Sequence, residues 1–269
     1  MDTYTDRDDS EIEASRAPLL DHLTELRSRL LVCLAAVLVA FIGSFLFAWP
    51  IFEFLTAPFE AAVALVHPHQ RQAGIDYYNT GAFGFFSVKM QIALFAAIII
   101  AFPVIAWQLY AFIAPGLYRR ERAAALPFLI AAPIMFLLGG AFVFYIAMPF
   151  ALRFALSQEV LHGPVRVHYL PKVDEYLGLV TTLVIAFGLC FQMPVVLSLL
   201  GRVGFVSAGA LRKMRRYAIV GIAAFAALVT PPDVLSMTMM FVPMYALYEI
   251  SIWLVWAIEK RRAKQEAAA

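Results

Sequence analysis

A few polar side chains interrupt the long apolar runs of this sequence, and they are its candidates for chemistry. Glu249 and Gln192 lie within such runs, and Glu121 stands alone among the three arginines of residues 119–122. Because a polar or ionisable group within a membrane span is costly to bury, each is a hypothesis for a functional site. The structural alternatives are a protonated or hydrogen-bonded acid at Glu249, an interhelical hydrogen bond at Gln192 and local charge balance at Glu121.

No pattern in the sequence is typical of an enzyme's active site or of a cofactor site. The chain has no glycine-rich phosphate loop, no nucleophile elbow, and no histidine or cysteine cluster with metal-ligand spacing. Its two cysteines, Cys33 and Cys190, both lie in apolar runs, which argues against a disulfide framework or a zinc site. We therefore predict a protein that is not an enzyme and that has no catalytic residue, metal or cofactor.

The composition indicates the kind of protein that must position these side chains. Hydrophobic residues make up 62% of the 269 residues and charged residues 15%, whereas a soluble domain has roughly 45–50% and 25%. These values exclude a disordered chain, a basic nucleic-acid-binding domain and an ordinary soluble enzyme. What remains is an all-α, polytopic membrane protein.

Six largely uncharged stretches are predicted as transmembrane helices, because a bilayer core of about 30 Å needs about 20 apolar residues. The fifth is short, and the tight turn Thr230–Asp233 joins it to the sixth. We predict a disordered acidic tail over residues 1–17, a membrane domain over 18–259 and a basic tail over 260–269. Prolines within the spans bend the helices and favour a concave face. The spans cover about residues 27–48, 84–112, 123–152, 174–201, 215–231 and 234–258.

The distribution of basic residues predicts the orientation. Six spans place both termini on one side, and most of the 21 lysines and arginines fall in the termini and loops of that side. Because cytoplasmic segments carry an excess of basic residues, both termini are predicted to be cytoplasmic. On the same side, residues 18–30 have leucines at helical spacing, which predicts an amphipathic helix whose polar face holds Glu25 and Arg27.

At these segments the chain resembles TatC, the largest subunit of the twin-arginine protein translocase. The resemblance covers residues 18–259 and rests on several motifs that occur in order. They are His22-Leu-x-Glu-Leu-Arg-x-Arg-Leu30, Ala57-Pro58, Trp107-Gln108 through residues 112–115 to Glu121-Arg122, Phe187-Gly188 through Pro194, Thr230-Pro-Pro-Asp233, and Pro243-Met-Tyr with Glu249.

The resemblance implies a kinked, glove-shaped bundle of six helices in a bacterial inner membrane, with both termini cytoplasmic. It implies a receptor that binds the paired arginines in the signal peptides of folded exported proteins. Such a receptor nucleates an oligomeric complex with single-span TatA and TatB subunits. The family is driven by the proton-motive force and hydrolyses no nucleotide. Membrane lipid is an expected partner and nucleic acid is not.

The resemblance also implies roles for individual residues. Glu121 is implied as the main partner of the signal peptide's arginines and Glu25 as a second one, since a carboxylate pairs bidentately with a guanidinium but not with a lysine. Leu26, Arg27 and Phe112 are implied to shape this site. Contacts with partner helices or with the inserted peptide are expected at Gln192, Pro58, Asp233 and Glu249.

One position departs from the family pattern, and two other functions remain as alternatives. Many family members carry a glutamate within the membrane where this chain has Gln192, so a role that depends on protonation is not expected here. A secondary transporter would favour inverted repeats and broken helices. A membrane scaffold would not need Glu121 among three arginines.

Overall fold

The computed structural model is almost entirely helical over the residues that it describes, with short turns between helices. It describes the backbone of residues 5–66, 83–113, 119–157, 172–230 and 234–266, and the side chains of 22–63, 83–112, 127–157, 172–230 and 234–264 except Leu235. No β-strand occurs in these residues. The helices are α1 (Thr5–Leu46), α2 (Ala48–Val66), α3 (Gly84–Ile113), α4 (Arg119–Phe142), a π-helical turn (Val143–Ala147), α5 (Met148–Ser157), α6 (Val173–Cys190), α7 (Met193–Val203), α8 (Ala208–Val229) and α9 (Val234–Glu266).

The long helices alternate in direction, and their contacts show which ends meet. The end of α1 lies beside the start of α3, where the Lys89 ammonium is 4.2 Å from the centre of the Phe45 ring. The start of α6 meets α2, because the Tyr176 hydroxyl donates to the Leu55 carbonyl at 2.9 Å. We call this the α2 end of the bundle. The opposite end holds the start of α1, the end of α3, the α7–α8 junction and the end of α9.

Glycines allow the core helices to approach closely. A Cβ atom built at Gly188 of α6 would lie 2.6 Å from the ring of Phe136 in α4, and one at Gly201 of α7 would lie 2.8 Å from Val255 in α9. Phe136 also stacks on Phe102 of α3, with ring centres 4.0 Å apart. Close van der Waals packing of this kind drives the association of helices in lipid, where the hydrophobic effect between them is absent.

Five segments of the described chain are long and apolar enough to cross a membrane, which makes this a multi-pass membrane protein. Helix α8 is not among them, because the basic residues of 212–216 occupy its first half and leave too short an uncharged stretch. A sixth crossing by α8 therefore stays a prediction. The five segments are His22–Leu46, Gly84–Phe112, Pro127–Ser157, Val173–Val203 and Ser236–Lys264.

The helices differ from the predicted segments at three places. Helix α1 begins at Thr5 and continues through Pro18 to Leu46, so its backbone includes most of the stretch 1–17 that the sequence predicted as a tail. The disorder of that tail stays a prediction. The third span contains the π-helical turn at Val143–Ala147. The fourth is broken after Cys190, since Pro194 has no amide hydrogen for a continuous helix and lies instead in the first turn of α7.

Candidate functional site

A carboxylate and a guanidinium lie together at the end of the bundle opposite α2. Arg29 donates to Glu25 Oε1 from Nη2 at 2.6 Å and from Nε at 3.0 Å. The two residues are four apart on α1, a spacing that places them on one face of a helix. Arg29 Nη1 also donates to Gln108 Oε1 of α3 at 3.3 Å. This ion pair therefore joins α1 to α3, and we call its surroundings the Glu25 junction.

Other predicted site residues lie at the same junction. The His22 ring stacks on the Phe112 ring, with centres 4.4 Å apart. His22 is about one helical turn before Glu25, and Phe112 about one turn after Gln108. Leu26 and Arg27 are both exposed on α1. The structure thus brings Glu25 and Phe112 to one junction, with Leu26 and Arg27 exposed on the same helix.

The exposure of the ion pair decides what the Glu25 junction can do. The side chain of Glu25 is 35% exposed and that of Arg29 is 24% exposed. Ion pairs between residues four apart on an exposed helix contribute only about 0.3–0.5 kcal/mol. A guanidinium from a ligand can therefore compete with Arg29 for this carboxylate. The junction is a partly open site with the chemistry to hold an arginine side chain.

Three predicted site residues are placed elsewhere or only in part. Glu121 lies in the first turn of α4, where the helix dipole favours an acidic residue, but its side chain is outside the described residues. Asp233 is outside them altogether. Pro58 is buried within α2, at the other end of the bundle from Glu25. The structure therefore does not bring Pro58 to the Glu25 junction.

Gln192 makes a hydrogen bond between helices. It lies at the break between α6 and α7, and its Nε2 donates to the Ala132 carbonyl of α4 at 2.9 Å. The same nitrogen is 3.5 Å from the Gly188 carbonyl. This geometry matches the structural alternative for Gln192, because the amide ties the helix break to a neighbouring helix. A contact with a partner helix or an inserted peptide stays a prediction.

Glu249 is held in an ion pair between two helices. Arg215 Nη2 of α8 donates to Glu249 Oε2 at 2.6 Å, and the Tyr245 hydroxyl donates to Oε1 at 2.9 Å. Nearby, the Tyr248 hydroxyl donates to the Leu211 carbonyl at 2.8 Å and ties α9 to α8 a second time. Among the described residues, Arg215 Nε is buried without a hydrogen-bond partner. The arrangement matches a hydrogen-bonded structural acid, one of the alternatives for Glu249.

These contacts are completed by Arg29, Gln108 and Arg215, none of which was predicted as a site residue. The spacing of Glu25 and Arg29 was a usable signal, since opposite charges four apart meet on a helix. Gln108 and Arg215 offered no such signal. Gln108 bonds to a residue 79 positions away, and Arg215 to one 34 positions away on another helix. Local spacing carries no information about such pairs.

The described residues offer no metal centre. No group of three or more histidine, cysteine, aspartate or glutamate side chains comes together in them. Cys33 and Cys190 are both free thiols. The polar chemistry of the described part of the chain is therefore ion pairing and hydrogen bonding at the two ends and between helices.

Comparison with known proteins finds close relatives over most of the chain. Residues 21–243 match the family model TatC, described as Sec-independent protein translocase protein (TatC). A Sec-independent protein translocase protein TatC from Magnetococcus marinus is 40% identical over 253 residues, which cover 94% of this chain and 89% of that protein. TatCy from Bacillus subtilis is 37% identical and covers 96% of both chains, and TatC from Escherichia coli is 36% identical over 88% and 87%.

Solved structures share the fold. A crystal structure of the twin-arginine translocase receptor TatC matches with a TM-score of 0.75 and 34% identity. The match covers 88% of this chain and 99% of that chain. A second crystal structure of the receptor, in the detergent DDM, also matches with a TM-score of 0.75 and covers 87% and 98%. The likeness therefore extends over nearly the whole of both solved chains.

Proposed function

Because this chain belongs to the TatC family of Sec-independent protein translocase proteins, we propose that it is the receptor subunit for twin-arginine signal peptides. It is a multi-pass membrane protein of a transport family whose members are named as translocase components, not as enzymes. In our proposal the paired arginines of the signal peptide bind at the Glu25 junction and at the first turn of α4.

The observation that carries this proposal is that the Glu25 carboxylate already binds a guanidinium. Both bonds from Arg29 fall on Oε1, which leaves Oε2 without a bond from Arg29, and the side chain is 35% exposed. A signal-peptide arginine presents the same planar set of donors and can bind in the same way. A lysine presents a compact point charge, so the site would favour arginine over lysine.

Two guanidiniums call for two carboxylates, and Glu121 is the proposed main partner. Its backbone position in the first turn of α4 supports this role, since α4 follows the end of α3 after a short connection. The exposed Leu26 and the Phe112 ring offer apolar surface to the residues that follow the arginines. Arg27 is exposed next to Leu26 on α1, and in our proposal its positive charge shapes the site by repelling other cationic groups.

We place the bundle in a bacterial inner membrane with both termini in the cytoplasm. The excess of lysine and arginine at the end that holds the termini supports this orientation. Helix α8 is then the sixth crossing. Its basic first half lies at the cytoplasmic interface, and its short apolar part thins the bilayer or leaves a depression there.

The same proposal includes assembly with single-span TatA and TatB subunits into an oligomeric complex driven by the proton-motive force. Helix α1 supports it, because only 6% of its most apolar window is buried, the lowest share among the five spans. Such a helix is open to lipid and to partner helices. Proposed contact residues are Pro58, Gln192, Asp233 and Glu249.

Binding of a twin-arginine signal peptide to the purified protein in nanodiscs tests the proposal. A twin-lysine peptide and the variants Glu121→Ala and Glu25→Gln are each expected to bind about tenfold more weakly, which is about 1.4 kcal/mol. Glu175→Gln is the matched control, since it removes an exposed carboxylate paired with Lys172 at the α2 end. That control is expected to bind the arginine peptide as the parent chain does.

The outcomes separate the alternatives. Equal binding of the arginine and lysine peptides would contradict recognition by a carboxylate site. A membrane scaffold would bind neither peptide. A secondary transporter would instead take up a small solute when reconstituted in vesicles, and that uptake would not depend on Glu121.

A further inference from the structure

A cavity of about 220 Å³ lies at the α2 end of the bundle, away from the Glu25 junction. It is found where α1 ends, α2 begins and α3 makes its first turns. Its wall is apolar except for Lys89. The apolar residues of the wall include Leu46, Trp49, Phe52, Phe85 and Ile92.

Lys89 gives this apolar cavity a positive charge. Its ammonium is 4.2 Å from the centre of the Phe45 ring, and no ion pair among the described residues includes it. A contact with the face of a ring uses the charge but leaves most of the three N–H donors without an acceptor. An anion with several oxygens is the natural complement to such a group.

Exposed aromatic residues beside the cavity indicate that it lies where lipid headgroups meet acyl chains. Trp49 is 56% exposed and Phe85 is 65% exposed, with ring centres 6.3 Å apart. Exposed aromatic residues at the ends of membrane spans are typical of the interface between headgroups and acyl chains. Lys89 lies beside Phe45, in the last turn of α1, so its ammonium reaches the same level.

The volume indicates what kind of ligand fits. Pockets that enclose a drug-sized molecule measure about 300–1,000 Å³, and this cavity is smaller. It therefore suits a segment of a ligand whose remainder lies outside the protein. One acyl chain of a lipid is such a segment, and it matches the apolar wall.

We propose that this cavity binds a phospholipid, with part of one acyl chain between α1, α2 and α3 and the phosphate on the Lys89 ammonium. The phosphate oxygens accept the charge-assisted hydrogen bonds that Lys89 otherwise lacks. An anionic lipid such as phosphatidylglycerol binds better than phosphatidylcholine, because the choline cation offsets the charge of the phosphate. This site is independent of signal-peptide binding.

Photolabelling tests the proposal. The full chain is placed in phosphatidylcholine nanodiscs that contain a small share of phosphatidylglycerol with a photoreactive group in its acyl chain. Labels are expected in residues 46–52 and 85–92. Lys89→Gln is expected to reduce labelling about fivefold, which is about 1 kcal/mol. Lys172→Gln is the matched control, because Lys172 is a lysine at the same end that is already bound to Glu175 at 2.7 Å.

A second variant tests the acyl-chain part of the proposal. Ala48 is 3% exposed and lines the cavity, so Ala48→Leu fills space there while Lys89 stays in place. It is expected to reduce labelling as well, in protein shown by thermal unfolding to be folded. If it does not fold, the Lys89→Gln comparison decides alone.

Three results would overturn the proposal. Labelling that is the same in the parent chain and in Lys89→Gln would show that Lys89 does not hold the lipid. Equal losses in Lys89→Gln and Lys172→Gln would show attraction to the surface charge only. If Lys89→Gln keeps its lipid labelling but loses crosslinking to an added single-span subunit, the cavity is instead a site for a partner helix.

Discussion

Replacing Arg29 by glutamine is expected to tighten the binding of a twin-arginine signal peptide. In the unliganded chain Arg29 occupies the Glu25 carboxylate at 2.6 and 3.0 Å. A peptide arginine that binds Glu25 bidentately needs Oε1 as well as the Oε2 that Arg29 leaves open, so it must displace Arg29 from Oε1. The free energy of the Arg29–Glu25 contact is then subtracted from the free energy of binding. Glutamine removes this competing guanidinium and keeps a polar side chain beside Gln108.

The structure sets the size of the effect. With the two side chains 24% and 35% exposed, the contact lies between an exposed helix pair of about 0.3–0.5 kcal/mol and a well-shielded hydrogen bond to a charged group of about 1.5–3 kcal/mol. A value of about 1 kcal/mol corresponds to a dissociation constant about fivefold lower in Arg29→Gln. The same loss of about 1 kcal/mol should lower the unfolding temperature by only about 2–4 °C in a chain of this size.

The assay is a titration of a fluorescent twin-arginine peptide in nanodiscs at low ionic strength, where exposed charges are least screened. Arg261→Gln serves as the control, since it removes an exposed positive charge at the same end of the bundle without touching Glu25. The control is expected to bind as the parent chain does. Unchanged or weaker binding in Arg29→Gln would refute the reasoning, because Arg29 would then position Glu25 rather than compete for it.

Three further predictions concern the framework of the bundle. Gly188→Ala is expected to lower stability by about 1–3 kcal/mol in thermal unfolding, because its Cβ would lie 2.6 Å from a buried ring, whereas Gly221→Ala, with no atom within 4 Å, should cost nothing. Gln192→Leu should lower the unfolding free energy by about 0.6–1 kcal/mol, because it removes the interhelical hydrogen bond to Ala132. An unchanged unfolding temperature would contradict that bond. Each of the single variants Glu249→Gln and Arg215→Gln should lose more than half of the unfolding free energy that the double variant loses. A double-mutant cycle with no coupling would argue against the ion pair.

The helices could be predicted from the sequence where charges and apolar length mark their limits. Helix α3 runs over Gly84–Ile113, and the largely uncharged stretch of the sequence predicts a span over 84–112. The interruptions inside spans could not be predicted in this way. The π-helical turn packs Phe144 on Phe54 of α2, with ring centres 4.4 Å apart. Contacts between distant parts of the chain, not local propensity, accompany that irregularity.

The sequence indicated that some of the candidate residues lie on one side of the bundle, but it did not indicate their pairings, and their role in binding stays a prediction. The sequence placed Glu25 and Phe112 on one side of the membrane, and the structure places both at the junction of α1 with α3. The bond from Arg29 to Gln108 could not be inferred, because no periodicity links residues 79 positions apart. Arg215 could not be predicted as the partner of Glu249 for the same reason, because nothing in the sequence distinguishes it from the other basic residues near it.

The two arginine–carboxylate pairs differ in a way that separates binding from structure. The Glu25–Arg29 pair lies within one helix, so it can open by rotation of side chains while α1 stays in place. The Glu249–Arg215 pair joins α8 to α9, and Tyr245 occupies the second carboxylate oxygen. Opening it would remove a contact between two helices and leave the Tyr245 hydroxyl without its acceptor, whereas opening the Glu25–Arg29 pair removes a contact within one helix. An incoming guanidinium can therefore exchange at Glu25 at low cost, whereas the same exchange at Glu249 would disturb the packing of α8 against α9.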